Sequence, residues 1–338
     1  MSNPRPVIFD TDPGIGAGLD ADDPLALMLI LASPELELLG VTTTYGNVEV
    51  ARATESALRV LEAAHRPDVR VHQGLSRAID GSIHAESLER YERHSQRIGA
   101  VDLDRVERER SSEHAVDFII RSVHERPGEI TLIAVGPLSN VAMALVKDPS
   151  IASKVDQITI MGGAFGFDTE FGRGNVTPVA EYNIWHDPLA AKVVFESGIP
   201  LVAVGLDVTN PNHGTVMLEA HLQDLVADKS EFSDFLYLIC RNFIDEPRFD
   251  WVRGGCILYD PVAVASVIDP SLLTIRHLPV LVETGGAYGA GQTIPIVRAE
   301  GTSDYSIDIA VDVDGDRFVE LFLDRIAALR NTTKEAVS

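Results

Sequence analysis

Short apolar runs rich in β-branched residues alternate with helical segments along most of the chain, and this alternation constrains the fold more than any other feature. Runs that are apolar on both faces are typical of buried strands in a parallel sheet. The pattern predicts the α/β class, with an open, mostly parallel, doubly wound (Rossmann-like) sheet and helical additions. The runs are PVIFD from Pro6, LELLGVTTTYGN from Leu36, ITLIAVGPLSN from Ile130, QITIMGGAF from Gln157 and IPLVAVGLDVT from Ile199.

Helices are predicted between these strands, and further elements follow them. A helical elaboration is expected near residues 218–250, and the segments LPVLVETGG and SIDIAVDVDGDRFVELFLDRIAAL indicate additional strands and a closing helix. No fixed-period repeat and no linker rich in Pro, Ser or Gly divides the chain, so one domain over residues 1–338 is predicted. The predicted helices cover residues 24–32, 48–65, 113–125, 138–147, 188–197 and 261–268.

Composition excludes several classes of function. The formal net charge of −23 opposes binding to a nucleic-acid backbone. The N-terminus lacks the apolar core of a signal peptide, and no run of about 18 apolar residues is present, so a cytoplasmic protein without a membrane partner is expected. Cys240 and Cys256 lack the spacing of a zinc site or a disulfide framework. The mixed-charge run from Glu86 is expected to form a solvated helical or loop face, or a mobile lid.

The segment DTDPGIGAGLDADDPLAL, from Asp10, follows the first predicted strand and carries five aspartates and three glycines in its first fourteen residues. It does not match the dinucleotide-binding G-x-G-x-x-G, since Leu19 stands at the third glycine. It does not match a calcium-binding EF-hand either, because Ile15 and Ala21 replace the required Gly and Glu. A phosphotransfer loop of the haloacid dehalogenase type shares both first aspartates, but has Thr where this chain has Gly14.

Crowded carboxylates at strand ends destabilise one another unless a cation neutralises them. Asp-Pro pairs also begin helices, and Asp148, Asp187 and Asp269 are expected to act as helix caps only. For Asp12 and Asp23 a hard divalent ion is the more economical interpretation. Oxygen ligands suit Ca²⁺ or Mg²⁺, and flexible carboxylates supplemented by backbone carbonyls favour Ca²⁺.

The acidic segment resembles the opening signature of the nucleoside hydrolases, the inosine-uridine-preferring N-ribohydrolase family, in which D-x-D-P-G-[IL]-D-D follows an apolar strand. Here FDTDPGI is followed by a six-residue insertion, GAGLDA from Gly16 to Ala21, and then by DDPLAL. The resemblance extends from about Pro6 to Leu329. Six further segments occur in family order: TTYGN, GSIHAES, AVGPLSN, IMGGAF, NVTPVAEYN and LYDPVAVASVIDP.

The resemblance implies a Ca²⁺ site and a set of site residues. Asp22 would be the general base for the attacking water, and Asp10 would orient the metal loop from behind. The implied Ca²⁺ ligands are Asp12, Asp23, the backbone carbonyl of Val135, and Asp260. The residues implied to contact the ribose are Asn47, Met161, Asn175, Glu181, Asn183 and Asp260.

Two departures from the family pattern affect these expectations. Tyr259 stands where well-known members carry a His thought to protonate the departing base, so we expect Tyr259 to pack or hydrogen-bond against the base while His84 or solvent supplies the proton. The insertion either bulges outward and returns Asp22 and Asp23 to the site, or lets Asp20 replace one of them. The first register is preferred because a helix begins immediately after it.

A further segment leaves two alternatives open, since its side chains are predicted either to close over the base or to belong to the core. They are Arg248, Phe249, Trp251 and Arg253.

The predicted activity is Ca²⁺-dependent hydrolysis of the N-glycosidic bond of ribonucleosides to ribose and free base, in purine or pyrimidine salvage. Carboxylates would stabilise the positive charge that develops on the sugar. A noncatalytic ribose- or nucleoside-binding protein that kept the metal loop is the alternative, favoured by Tyr259, and ribosyl transfer or hydrolysis of a modified ribonucleoside is a third. The expected partner is a small-molecule ribonucleoside, and relatives suggest a homodimer or homotetramer.

Overall fold

Eleven strands are present in the part of the chain that the computed structural model describes, namely residues 3–16, 19, 21–97, 108–245, 252, 254–297 and 305–337. The five predicted apolar runs contain or lie within β1, β2, β4, β5 and β6, and all except the first run continue past their strand into a loop or helix. The strands are β1 (Arg5–Thr11), β2 (Leu36–Thr43), β3 (Val71–Gln73), β4 (Thr131–Ala134), β5 (Gln157–Met161), β6 (Leu201–Val204), β7 (Val216–Leu218), β8 (Gly255–Ile257), β9 (Leu273–Val282), β10 (Thr293–Pro295) and β11 (Ser306–Val313).

Eleven α-helices accompany these strands within the same described ranges. All six predicted helices are present with bounds that differ by at most two residues, and α8 and α9 form the predicted elaboration. They are α1 (Asp22–Leu31), α2 (Val50–Ala63), α3 (Ala85–Arg97), α4 (Ala115–Glu125), α5 (Ser139–Lys147), α6 (Tyr182–His186), α7 (Pro188–Phe195), α8 (Glu219–Leu225), α9 (Glu231–Ile244), α10 (Tyr259–Ile268) and α11 (Gly315–Val337).

Nine of the described strands form one sheet in the order β10-β9-β11-β6-β5-β4-β1-β2-β3. From β3 to β6 every neighbouring pair is parallel, and the order reverses between β1 and β4. β11 adds in parallel to β6, whereas β9 and β10 extend the edge in antiparallel fashion. The predicted α/β class with a mostly parallel, doubly wound sheet is confirmed, and such sheets bind ligands where the order reverses.

Apolar layers cover both faces of the sheet because successive strand residues point to opposite sides. In β1, Val7 and Phe9 belong to the layer that includes α1, α2, α9, α10 and α11, whereas Ile8 belongs to the layer with α4, α5 and α7. α1 and α10 are buried along nearly their whole length. This burial explains why both read as continuous apolar segments, and it fixes their N-termini at the carboxyl edge of the sheet.

Three aspartates were predicted as helix caps, and each one caps the turn that follows it. Asp148 and Asp269 accept hydrogen bonds from backbone N–H groups two residues further along the chain. Asp187 accepts from the N–H of Ala190 at 3.0 Å and also from the Ser139 hydroxyl. None of the described helices is both long and apolar enough to cross a bilayer. Asp20 and the segment with Arg248, Phe249, Trp251 and Arg253 lie outside the described residues.

Candidate active site

Three buried carboxylates meet where the N-termini of α1 and α10 face the carboxyl edge of the sheet. Asp22, Asp23 and Asp260 each place an oxygen within 4.8 Å of the others. Each helix carries its acids in the first turn, followed by Pro, and the positive end of a helix dipole stabilises negative charge there. Because α1 begins at Asp22, the preferred register of the acidic loop agrees with the structure.

Asp23 is held by the ends of two strands. Its Oδ1 accepts a hydrogen bond from the Thr11 hydroxyl and another from the N–H of Asp12, at 3.1 Å. Its Oδ2 accepts from the side-chain amide of Asn47 at 3.0 Å. Since Thr11 ends β1 and Asn47 follows β2, the orientation of the Asp23 carboxylate depends on the pairing of these strands.

Asp12 lies against this group but is not one of the three converging residues. Its Oδ2 accepts from the N–H of Asn47 at 2.6 Å, and its Oδ1 is buried without a hydrogen-bond partner among the described residues. Burial and the negative charge of Asp23 raise the pKa of Asp12. A β-carbon at Gly136 would stand only 2.6 Å from Oδ1, so glycine is required there.

Asp10 lies in β1, two residues before Asp12, and its carboxylate is hydrogen-bonded to two other elements that carry the site. It accepts hydrogen bonds from Thr42 in β2 and from the amide of Asn140 in α5, the latter at 2.8 Å. Burial raises the pKa of Asp10 to about 7. Asp10 does not line the cavity described next, which agrees with a supporting position.

A cavity of about 270 Å³ opens onto the three carboxylates. It contains most of the residues that the sequence singled out, together with three that it did not: Arg90, Val176 and Tyr182. Its described lining consists of Asp22, Asp23, Asn47, Arg90, Val135, Met161, Asn175, Val176, Glu181, Tyr182, Asn183, Tyr259 and Asp260.

Glu181 and Asn183 form the wall of the cavity at the start of α6. The Glu181 carboxylate caps this helix by accepting from the N–H groups of Asn183 and Ile184, and it also accepts from Gly163 at 3.0 Å. Burial raises the pKa of Glu181, and these hydrogen bonds oppose the rise. The amide of Asn183 donates to the carbonyl of Val135 at 2.8 Å, which fixes that carbonyl at the cavity.

The donor set fits a hard divalent cation. The converging oxygens belong to the carboxylates of Asp22, Asp23 and Asp260, and Val135 also lines the cavity. Among the described residues, the Asp12 Oδ1 atom is a buried acceptor without a donor. Burying carboxylates so close together is costly without a compensating positive charge. Oxygen-only sites of this kind suit Ca²⁺ and Mg²⁺ rather than zinc.

Two residues considered for protonating a leaving group occupy different places. Tyr259 is the first residue of α10 and lines the cavity beside Asp260. His84 is not among the described lining residues. Its ring stacks on Trp185 with centroids 3.6 Å apart, and its Nε2 lies 3.0 Å from the carbonyl oxygen of Trp185.

Arg90 is a cavity residue that the sequence analysis missed. It belongs to α3, inside the run expected to be a solvated face or a lid, and its Nη2 donates to the side-chain oxygen of Asn47 at 3.2 Å. Its guanidinium carbon lies 5.0 Å from the centre of the Tyr182 ring, and the Tyr182 hydroxyl donates to the carbonyl of Gly46. No periodic signal marked this residue, because only Ser87 and Tyr91 of the described α3 side chains are buried.

Comparison with known proteins gives a consistent result. The family model described as inosine-uridine preferring nucleoside hydrolase matches residues 7–320. The chain is 39% identical to uridine nucleosidase 1 of Arabidopsis thaliana, over 91% of this chain and 90% of that protein. It is 33% identical to the pyrimidine-specific ribonucleoside hydrolase RihA of Salmonella agona, over 95% of this chain and 98% of that protein.

A solved structure has the same fold over nearly the whole chain. The purine-preferring ribonucleoside hydrolase from Gardnerella vaginalis superposes with a TM-score of 0.84 at 33% identity, covering 96% of this chain and 99% of that one. The relatives therefore agree in the class of reaction, whereas their names differ in the base.

Proposed function

The chain belongs to the inosine-uridine preferring nucleoside hydrolase family, and from that premise we propose that it hydrolyses the N-glycosidic bond of ribonucleosides to ribose and free base with Ca²⁺ as its cofactor. The observation that carries this proposal is the convergence of Asp22, Asp23 and Asp260 at the cavity. The match to enzymes across the chain favours catalysis over the noncatalytic binding protein.

We assign the metal to Asp12, Asp23, Asp260 and the carbonyl of Val135. A bound Ca²⁺ would orient the ribose diol and lower the pKa of the attacking water. The oxygen-only donor set and the Asp12 Oδ1 atom, which has no hydrogen-bond partner in the described part of the chain, support Ca²⁺ over softer ions. Asp10 supports Asp12 from behind through its hydrogen bonds to Thr42 and Asn140.

Asp22 is proposed as the general base. It lines the cavity at the first residue of α1, next to Asp23, and a carboxylate in that position removes a proton from water as the oxygen attacks the sugar. Asp23 holds the cation while Asp22 takes the proton. Two adjacent carboxylates therefore have separate tasks in this proposal.

The polar wall of the cavity is proposed to bind ribose. Amide and carboxylate groups at these positions pair with sugar hydroxyls, and the nearby negative charge stabilises the developing positive charge on the ring. Tyr259 is proposed to contact the base, and His84 remains a candidate proton source beside solvent. The proposed ribose contacts are Asn47, Met161, Asn175, Glu181, Asn183 and Asp260.

The deciding experiment measures release of reducing sugar from uridine, cytidine, inosine and adenosine, with Ca²⁺ and with a chelator. We expect Ca²⁺-dependent release from at least one of them. Asp22→Asn should lower kcat by about 10²–10⁴-fold, the usual contribution of a general base. The matched control is Asp316→Asn, an exposed acid in the first turn of α11, which should keep full activity. Wild-type protein that releases no sugar from any of these substrates would refute the proposal.

The cytoplasmic location and the homodimer or homotetramer expected from relatives remain predictions. Light scattering on the eluted peak of a size-exclusion column tests the assembly directly. A monomer at micromolar concentration would contradict it.

A further inference from the structure

We propose that Arg90 is a catalytic residue that stabilises the departing base by a hydrogen bond to a ring carbonyl oxygen, and that it makes pyrimidine ribonucleosides the preferred substrates. This inference rests on the proposed hydrolase function and adds the leaving group to it. Three observations carry it: how α3 is anchored, what Arg90 contacts, and how charge is distributed around the cavity.

α3 is anchored to the wall of the cavity by its buried face. The Ser87 hydroxyl lies 2.9 Å from Nε2 of His186, and Tyr91, one turn later, is buried. Residues three and four apart share one face of a helix, so Arg90, three residues after Ser87, lies on the side of α3 that contacts α6. The position of its guanidinium is therefore set by packing against α6.

The contacts of Arg90 place it in the cavity lining beside Asn47 and Tyr182. One hydrogen bond reaches the Asn47 side-chain oxygen, and the guanidinium packs over the Tyr182 ring. A guanidinium presents N–H donors in a planar fork, and that of Arg90 lines the cavity together with the carboxylates. The group therefore contacts Asn47 and Tyr182 while it borders the same space as the acids.

The distribution of charge around the cavity makes Arg90 distinctive. The described lining contains four acids, Asp22, Asp23, Glu181 and Asp260, and Arg90 is the only cationic side chain in that described lining. The acids stabilise the positive charge that develops on the sugar. Arg90 stabilises the negative charge that develops on the base, which leaves with the bonding electrons.

The reaction balances without a proton from Arg90. The C1′–N1 bond breaks and its electron pair moves into the base, while the oxygen of water bonds to C1′ and the proton of that water moves to Asp22. The negative charge on a pyrimidine spreads onto the O2 carbonyl beside N1, where an Arg90 N–H donates a hydrogen bond. The released anion then takes a proton from solvent.

This device discriminates between bases. A purine has no carbonyl oxygen on the carbons bonded to its glycosidic nitrogen, and it leaves readily only after protonation on a ring nitrogen. An arginine side chain does not give up its proton near neutral pH, and a phenol such as the Tyr259 side chain is a weak acid. The described cavity therefore favours uracil or cytosine as the leaving group.

The test compares two ribosides that differ only in their need for help with departure. Uridine requires stabilisation of its base, whereas p-nitrophenyl β-D-ribofuranoside releases a phenolate that is stable without it. In Arg90→Gln we expect kcat/KM for uridine to fall about 10²–10³-fold, the effect of removing one charge-stabilising donor. For the p-nitrophenyl riboside the change should stay within about threefold. Arg90→Lys keeps the positive charge but loses the planar guanidinium, so its kcat/KM for uridine should lie between the values of the wild type and of Arg90→Gln.

The control is Glu89→Gln, a solvent-exposed neighbour on the same helix, which should leave both rates unchanged. Equal losses on the two ribosides in Arg90→Gln would overturn the inference, because a residue that only orients Asn47 affects every substrate. An unchanged rate on uridine, or wild-type protein that cleaves inosine as fast as uridine, would also overturn it. If Arg90→Gln does not fold, the inference is decided by Arg90→Lys, in which kcat/KM should fall for uridine and stay within about threefold for the p-nitrophenyl riboside. Wild-type protein that cleaves neither riboside refutes the hydrolase proposal instead.

Discussion

The amide nitrogen of Asn47 donates a hydrogen bond of 3.0 Å to Oδ2 of Asp23, across the gap between the end of β2 and the start of α1. The oxygen of the same amide accepts from Arg90. One neutral side chain thus connects the carboxylate proposed to hold the cation with the only cationic group of the described cavity lining. Its orientation follows from these two partners, because an amide has a distinct donor and a distinct acceptor end.

Replacing Asn47 by Ala removes this connection. We expect the affinity for Ca²⁺, read from the Ca²⁺ dependence of activity, to fall about 10–100-fold, as is usual when a group that orients a metal ligand is lost. The control is Asn212→Ala, which removes an exposed amide that pairs with Glu170. An unchanged Ca²⁺ dependence in Asn47→Ala would contradict the orienting role.

Calcium should stabilise the folded protein because it binds the converged carboxylates only in the native state. At a concentration about 100 times Kd the gain is about 2.7 kcal/mol, and the Tm should rise by a few degrees relative to protein in EDTA. Scanning calorimetry with Ca²⁺, Mg²⁺ and EDTA measures it. In Asp260→Asn the Ca²⁺-dependent rise should disappear, whereas in Asp316→Asn it should persist.

The polar wall predicts discrimination against deoxyribose. Buried amides and carboxylates that pair with sugar hydroxyls are left unpaired by a 2′-deoxy substrate, so kcat/KM for uridine should exceed that for 2′-deoxyuridine by about 10⁴. Initial rates on the two nucleosides at equal enzyme concentration measure this ratio. Comparable rates would show that these groups do not bind the 2′-hydroxyl of the substrate.

Tyr259 and His84 should differ in their effect on turnover. Because Tyr259 lines the cavity, Tyr259→Phe should lower kcat about 5–10-fold through the loss of one hydrogen bond. His84→Ala should change kcat by less, since His84 lies against Trp185 and solvent supplies the proton. Tyr237→Phe, on an exposed part of α9, is the control. Full kcat in both variants would remove the role of Tyr259.

His186 predicts how stability depends on pH. Its burial, together with the nearby positive charges of His84 and Arg90, lowers its pKa to about 3, well below the ordinary value of 6.5. Between pH 6.5 and 3 the unfolded chain therefore binds a proton that the native state does not, so the free energy of unfolding falls as the pH is lowered through this window. The slope due to this residue is at most about 1.4 kcal/mol per pH unit.

Urea denaturation at pH 7, 6 and 5 measures this dependence. In His186→Gln the titration is absent, so the fall in stability should be shallower than in the wild type. His277→Gln, at an exposed position, should keep the wild-type slope. Parallel slopes in all three proteins would mean that His186 titrates normally.

The sequence predicted the strands and helices well because this sheet is buried on both faces and its apolar runs are continuous. The start of α1 at Asp22 was predictable from the Asp-Pro signal at Asp23. The three-residue strands β3, β7, β8 and β10 were not predicted, since three residues are too few to display a period. The position of Arg90 was also missed, because it depends on contacts of α3 with Asn47 and Tyr182, which are far away in the chain.

In the candidate site, too, local sequence signals predicted which residues take part, whereas their relative positions depend on contacts between distant parts of the chain. Asp12, Asp23 and Asp260 were found from strand ends and from the resemblance, whereas their relative depth was not. Only the structure shows that Asp12 accepts from the N–H of Asn47, with its other oxygen unpartnered among the described residues, and that the three converging acids are Asp22, Asp23 and Asp260 rather than Asp12. Such differences of a few ångströms come from how α1 and α10 pack side by side, which no local pattern contains.

The pairing of α1 with α10 also has a consequence for the order of events during synthesis. Asp22 and Asp23 emerge early from the ribosome, and Asp260 emerges only after five further described strands of the large sheet and eight further described α-helices. Mutual repulsion among the three acids is therefore imposed only after residue 260 has been added to the chain. A chain that stalls before that residue lacks one of the three carboxylates.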